Sequence, residues 1–203
     1  MIAIIDYGLG NVKAFANVYY KLNIPATIVK NADDLKKATK VILPGVGAFD
    51  HALRLLDKSG IRSLLDELVL HRHVPVLGVC VGMQMLANAS EEGSLPGLGW
   101  INGEVKRFHS SVNHPLRVPH MGWNNINPII KDGLLRGLDS DSLFYFLHSY
   151  YFHCKHNQDI IAVTEYGEQF ACAVNSGNIF GVQFHPEKSH QGGIRLLKNF
   201  AEL

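Results

Sequence analysis

Apolar and polar positions change period several times along the chain, and each change marks an element. Ile2 to Ile5 is a short unbroken apolar run, which predicts a strand buried on both faces. Tyr7-Gly-Leu-Gly10-Asn11 turns the chain. Val12, Phe15, Ala16 and Tyr19 then recur at helical spacing and predict a helix to about Leu22. Ala26 to Val29 predicts a second strand, and Asp33, Asp34 and Leu35 open a short helix. Val41-Ile-Leu43 predicts a third strand, stopped by Pro44-Gly-Val-Gly47. Phe49, Leu53 and Leu56 give one helical pattern, and a second runs from Ile61 to about His71. Val74 to Val79 is a strand, and Met83, Leu86 and Ala87 return to helical spacing after it.

This alternation through residue ~90 predicts a parallel sheet with helices on both faces. Afterwards the texture changes. Gly93 to Gly99 is a loop, Ile101 to Phe108 and Asn124 to Ile126 are short strands, and 143–147, 160–163, 172–174 and 179–183 are strands joined by hairpin-like turns. Asn175-Ser-Gly-Asn178 is the clearest turn, and Ile194 to Phe200 closes the chain as a helix. The expected fold is α/β: an open, mostly parallel twisted sheet with helices on both faces and extra antiparallel strands in the C-terminal half.

Composition adds bounds. A chain of 203 residues, 47% hydrophobic, suits one domain over 1–203 with a substantial core. A formal net charge of +1 gives no electrostatic case for nucleic acid or membrane as the main partner. Cys80, Cys154 and Cys172 form neither an even framework nor a paired C-x-x-C, which suits a reducing, cytoplasmic setting. The apolar N-terminus lacks a basic leader and reads as a strand, and no apolar run is long enough to span a bilayer.

Candidate chemistry gathers at strand ends. Cys80 stands where strand period gives way to helix period, between Gly78 and Gly82. Glycines there permit a sharp turn with unusual backbone angles, the geometry of a nucleophile elbow with cysteine in place of serine. On the residues alone two readings of Cys80 stand, a small core residue and a nucleophile. Gly181-Val-Gln-Phe184-His185-Pro186-Glu187 offers a base and an orienting carboxylate. Two residues apart in extended chain, His185 and Glu187 point to one side, though a strand-capping histidine and a surface glutamate are equally allowed. The Gly45 to Gly47 backbone could donate to an oxyanion or be a plain turn. No phosphate loop follows it. Gly8 and Gly10 lack the third glycine of a dinucleotide fingerprint, and neither His71 with His73 nor His109 with His114 has zinc-ligand partners. No cofactor or metal is expected.

The segments Gly78-Val-Cys80-Val-Gly82-Met-Gln84 and Phe184-His185-Pro186-Glu187 resemble the class I glutamine amidotransferases, with Val81 where the family usually carries Leu. The resemblance covers essentially the whole chain. It implies a Cys80–His185–Glu187 triad that hydrolyses glutamine, and an oxyanion hole served by Gly45, Gly47 and the backbone of Val81. It also implies that Gln84 and His148-Ser149-Tyr150 position the substrate. Within the family, Asp6 to Asn11, Pro44 to Phe49, Val118 to Asn124 and His148 to Tyr150 are similar to members that pass ammonia to a separate (β/α)8-barrel cyclase subunit. That likeness places Asn11, Trp123, Tyr145 and Lys188 at the partner face and ammonia gate. Its alternatives are a paralogue serving another synthase, a stand-alone cysteine hydrolase and a non-catalytic binding subunit.

Overall fold

A computed structural model describes residues 1–109 and 116–203; His114 lies outside them. The front half is β1 (Ile2–Ile5), α1 (Val12–Lys21), β2 (Ala26–Val29), α2 (Ala32–Leu35), β3 (Lys40–Gly45), α3 (Phe49–Lys58), α4 (Arg62–Asp66), β4 (Val76–Cys80) and α5 (Val81–Gln84). α4 continues as a π turn over Glu67–His71. The back half holds β5 (Ala89–Ser90), β6 (Gly103–Arg107), β7 (His120–Asn125), β8 (Asn127–Pro128), β9 (Leu143–His148), β10 (Tyr150–Cys154), β11 (Ile160–Tyr166), β12 (Glu168–Ser176), β13 (Ile179–Val182) and α6 (His190–Glu202).

β2, β1, β3, β4 and β13 pair in that order, all parallel. This is the doubly wound order in which ligand sites lie beyond the carboxyl ends of the strands. β12 then pairs antiparallel with β13, and β10 and β6 extend the sheet. The fold is thus α/β with a mixed sheet. β1 and β4 are buried at every position, as interior parallel strands require, whereas edge strand β2 is only partly covered. α1 buries Phe15 and Tyr19, one turn apart. α6 buries Gly193, Leu196, Leu197 and Phe200 at the 3-4 spacing of one face. The Tyr19 hydroxyl donates to Leu197 O at 3.1 Å and ties these two helices together. Among the described residues no helix is long and apolar enough to cross a membrane.

Three local expectations change. The helix after Cys80 ends at Gln84, because the loop at 97–101 takes the next carbonyls. Leu98, Gly99 and Ile101 N–H groups donate to Met85, Ala87 and Leu86. β3 does not stop at Leu43 but runs on to pair Gly45 with Cys80. The glycines around the elbow do not supply its unusual angles, since Cys80 itself sits at φ 56°, ψ −113°. The glycines supply close approach. A Cβ on Gly82 would lie 1.9 Å from the Leu43 carbonyl oxygen, one on Gly45 2.4 Å from the Gly82 nitrogen, and one on Gly78 2.6 Å from the Gly82 oxygen.

Gly82→Ala therefore forces two backbone segments apart. It should destabilise the chain by at least about 2 kcal/mol in urea unfolding. Gly177→Ala has open space around it and only a left-handed backbone to strain, and should cost about 1 kcal/mol. Equal losses would contradict the packing role of Gly82.

Candidate active site

Cys80 ends β4 between two parallel neighbours, so its place is fixed by ladders on both sides, to Gly45 through Val41 on β3 and to Val182 through Ile179 on β13. A backbone at its angles costs roughly 1–3 kcal/mol, sustained by those ladders and by the glycine contacts below it. The Cys80 side chain is buried. Its sulfur lies 3.9 Å from Leu147 O, which can accept from the thiol, and 3.8 Å from Gln183 Nε2, which donates to it.

His185 follows β13, the neighbour of β4, and lines the same cavity as Cys80. Its Nδ1 lies 3.0 Å from Glu187 Oε1, which leaves Nε2 for Cys80. Glu187 does not come round by extended chain, as its spacing suggested. Pro186–Lys188 forms a single 3-10 turn, closed by Lys188 N–H donating to His185 O at 3.1 Å. Ser189 locks this turn to β9, its hydroxyl donating to His185 O at 2.6 Å and accepting from Tyr145 N at 3.0 Å. Burial alone would push His185 toward the neutral form. The hydrogen bonds and charges of Cys80 and Glu187 together outweigh it and hold the imidazole well above its ordinary pKa. The arrangement favours an imidazolium between a sulfur and a carboxylate.

A cavity of about 280 Å³ opens over Cys80 and His185. Gly47, Val81, Gln84, His148, Ser149, Tyr150 and Lys188 all line it, each singled out from sequence. Gly45 lies behind it, under the elbow. The Tyr7 hydroxyl donates to Pro44 O at 2.7 Å and anchors the strand end that leads to Gly47. Glu92 also lines the cavity, and its Oε2 accepts from Phe49 N–H at 2.9 Å. It sits in a polar loop, where no periodicity distinguishes it from a solvated charge.

The family model for class-I glutamine amidotransferases matches residues 3–203. The chain belongs to that family. Over the full length of both chains it is 55% identical to the imidazole glycerol phosphate synthase subunit HisH of Bdellovibrio bacteriovorus and 55% identical to that of Leptospira interrogans. It is 46% identical to subunit HisH 2 of Pseudomonas aeruginosa, again over both full lengths. Among solved structures, a glutamine amidotransferase superposes with a TM-score of 0.75 at 20% identity over the whole of both chains. A glutamine amidotransferase from Thermotoga maritima superposes with a TM-score of 0.65 at 17% identity, covering 92% of this chain and 75% of the other. At those identities the likeness is one of fold.

This amidotransferase carries a buried polar chain beside its cavity that periodicity does not reveal. The Tyr150 carbonyl accepts from Gln84 Nε2 at 3.0 Å and faces His148 Nδ1 at 2.8 Å. A carbonyl only accepts, so Nδ1 of His148 carries the proton and Nε2 is free to accept from His120 Nδ1 at 3.0 Å. His120 Nε2 in turn takes Asn124 Nδ2 at 3.3 Å. Burial pushes the His148 pKa down to about 3 and that of His120 to about 4, consistent with two neutral rings.

On the outer side of the same β7–β9 pair lie Met121, Trp123, Leu143 and Leu147, all exposed. Trp123 stacks on His190 at 5.0 Å and 9° and meets Tyr145 edge-on at 5.9 Å, while Lys188 Nζ stands 5.6 Å from the Tyr145 ring centre. Trp123, Tyr145 and Lys188 are thus brought together. Asn11 is not part of that cluster. Its side chain caps α1 by accepting from Ala14 N–H, and α1 faces Pro186–Lys188 across a groove lined by Ala14 and Lys188.

The neutral histidine pair predicts an acid weakness. Its folded pKa values lie below the ordinary 6.5, so the unfolded chain binds more protons between about pH 6.5 and pH 4. Stability is complete above that window and falls as pH drops through it. Denaturant midpoints measured against pH should show this decline, and His120→Gln should remove about one proton's worth of slope, ~1.4 kcal/mol per pH unit. An unchanged slope would contradict the neutral assignment.

Proposed function

We propose that this amidotransferase is the glutaminase subunit of an imidazole glycerol phosphate synthase, with Cys80, His185 and Glu187 as its triad. Identity of 55% to HisH subunits over full length carries the assignment. The buried Cys80–His185–Glu187 line supports the mechanism. The Cys80 thiolate adds to the amide carbon of glutamine, and the carbonyl electrons move to oxygen. Backbone N–H groups about Gly47 and Val81, which border the cavity in front of Gly45, stabilise that oxyanion. His185 gives its proton to the departing nitrogen, ammonia leaves, and a thioester to Cys80 remains. Water adds to the thioester while His185 takes its proton. The C–S bond then breaks, releasing glutamate and restoring the thiolate–imidazolium pair.

Substrate contacts follow from donor and acceptor inventory. Gln84 Nε2 already serves Tyr150 O and Gln183 Oε1, so its Oε1 remains to accept from the substrate's N–H groups. Ser149 and its neighbours His148 and Tyr150 form the wall along the glutamine chain, and the Glu92 carboxylate suits the α-ammonium of a free amino acid.

The partner is a HisF-type (β/α)8-barrel cyclase, which uses the ammonia to convert PRFAR to imidazole glycerol phosphate and AICAR. Its docking face is the exposed apolar side of β7 and β9. Aromatic anchors favour Trp123 and Tyr145 as the contact centre, with Lys188 at the gate beside the cavity and Asn11 on its flank. Three buried free thiols suit a cytoplasmic setting. A second reading is a paralogue feeding a different synthase. Relatives at 46% carry the name HisH 2, and the ammonia acceptor binds the partner rather than this chain.

Reconstitution with a barrel subunit tests the assignment. Cys80→Ala and His185→Ala should lower glutamine-dependent turnover of PRFAR by at least about 10³-fold and leave ammonium-dependent turnover intact. Glu187→Gln should cost about 10–100-fold. Glutamine-dependent turnover that survives Cys80→Ala would overturn the triad. Turnover of another acceptor but not PRFAR would favour the paralogue.

A further inference from the structure

Gln183 is fully buried at the end of an otherwise apolar strand, where an apolar side chain would avoid the cost of desolvating an amide. Its backbone N–H is spent on Cys172 O at 2.9 Å. Its side chain bridges two groups of the site, accepting from Gln84 Nε2 at 3.1 Å on Oε1 and presenting Nε2 to the Cys80 sulfur at 3.8 Å.

The polarity of this bridge is not free to invert. The Tyr150 carbonyl can only accept, so Gln84 must turn its NH2 toward it, and the same NH2 reaches Gln183. Gln183 must therefore answer with its oxygen, which leaves its own NH2 toward Cys80. His148 Nδ1–H on the same carbonyl reinforces the direction. One backbone oxygen thus orients two amides in series and delivers an N–H donor to the sulfur.

We infer that Gln183 is a hydrogen-bond donor to the Cys80 thiolate, complementing His185. An N–H donor strengthens as the sulfur gains charge, and a buried site magnifies the effect. Leu147 O suits only the thiol. The other titratable groups facing this sulfur are His185, with Glu187 behind it, and the Tyr7 hydroxyl beyond the end of β1. Lys188 lines the same cavity. Of these, Gln183 is a donor whose strength does not itself change with pH, so it favours the thiolate across the working range.

The inference rests on Cys80 being the nucleophile, and two variants in the full chain test it. Gln183→Glu keeps an oxygen for Gln84 but removes the N–H donor, and Gln183→Met removes both. The rate of Cys80 alkylation by iodoacetamide should move to higher pH by about one unit in each, and glutaminase kcat with the barrel partner should fall about ten-fold with little change in KM. A merely structural role would lower thermal stability without moving the pH profile.

A wild-type profile and kcat in Gln183→Glu would overturn the inference, whatever the Met variant does, and if one variant does not fold the other decides. A measurement on the unaltered chain stands beside them. The Gln183 side-chain amide nitrogen signal in NMR should shift as Cys80 titrates, and an unmoved signal would overturn the inference. Failure of the glutaminase assignment looks different, since Cys80 would then alkylate with iodoacetamide but not respond to glutamine at all.

Discussion

The contact between Gly82 and the Leu43 carbonyl sets the distance at which the elbow lies on β3, and the site is built outward from it. With no Cβ at 82 or 45, the first turn of α5 rests directly on the neighbouring strand. That leaves Cys80 held at angles few non-glycine residues adopt, with its side chain carried clear of the ladder. The same contact brings Gly45 into register with Cys80, so that the backbone running to Gly47 borders the cavity above the sulfur.

A second constraint is electrostatic. Parallel pairing of β13 with β4 delivers His185 to the sulfur from the adjacent strand end, and a single turn returns Glu187 to its far nitrogen. The Cys80 sulfur and the Glu187 carboxyl group flank one buried imidazole and favour the proton on His185. Next to this charged line runs a chain of neutral donors and acceptors from Asn124 through the two histidines to Tyr150 O, Gln84 and Gln183. Its direction is dictated by one carbonyl. The β7–β9 pair carries part of this chain on its inner face and the exposed Trp123 cluster on its outer face. The surface proposed for the partner and the polar wall of the cavity are therefore two sides of one short sheet.

How much of this was legible in the sequence depends on the range of the interactions involved. Ile2–Ile5, Ala26–Val29 and the strand ending at Cys80 were legible because burial on both faces writes itself as an apolar run. Asn175 to Asn178 was legible because a two-residue turn needs its own chemistry. β10 is missing from the strands read in the sequence, since Ser149 alone divides it from β9 and carries no breaker signal. The helix after Cys80 was overextended because the loop at 97–101 that caps its carbonyls is remote in sequence. Glu92 and Gln183 were passed over for a related reason. A glutamate in a polar loop and a glutamine closing an apolar strand acquire meaning only from what the fold places beside them.

The most direct measurement is covalent labelling of the full-length chain with a chloroketone analogue of glutamine, followed by peptide mass mapping. Label should fall on Cys80 alone, one per chain, because it borders the cavity, with Cys154 and Cys172 untouched since burial pushes their thiols up, and excess glutamine should protect. Label spread over the cysteines, or a Cys80 reaction that glutamine does not slow, would contradict a glutamine-reactive nucleophile at the elbow.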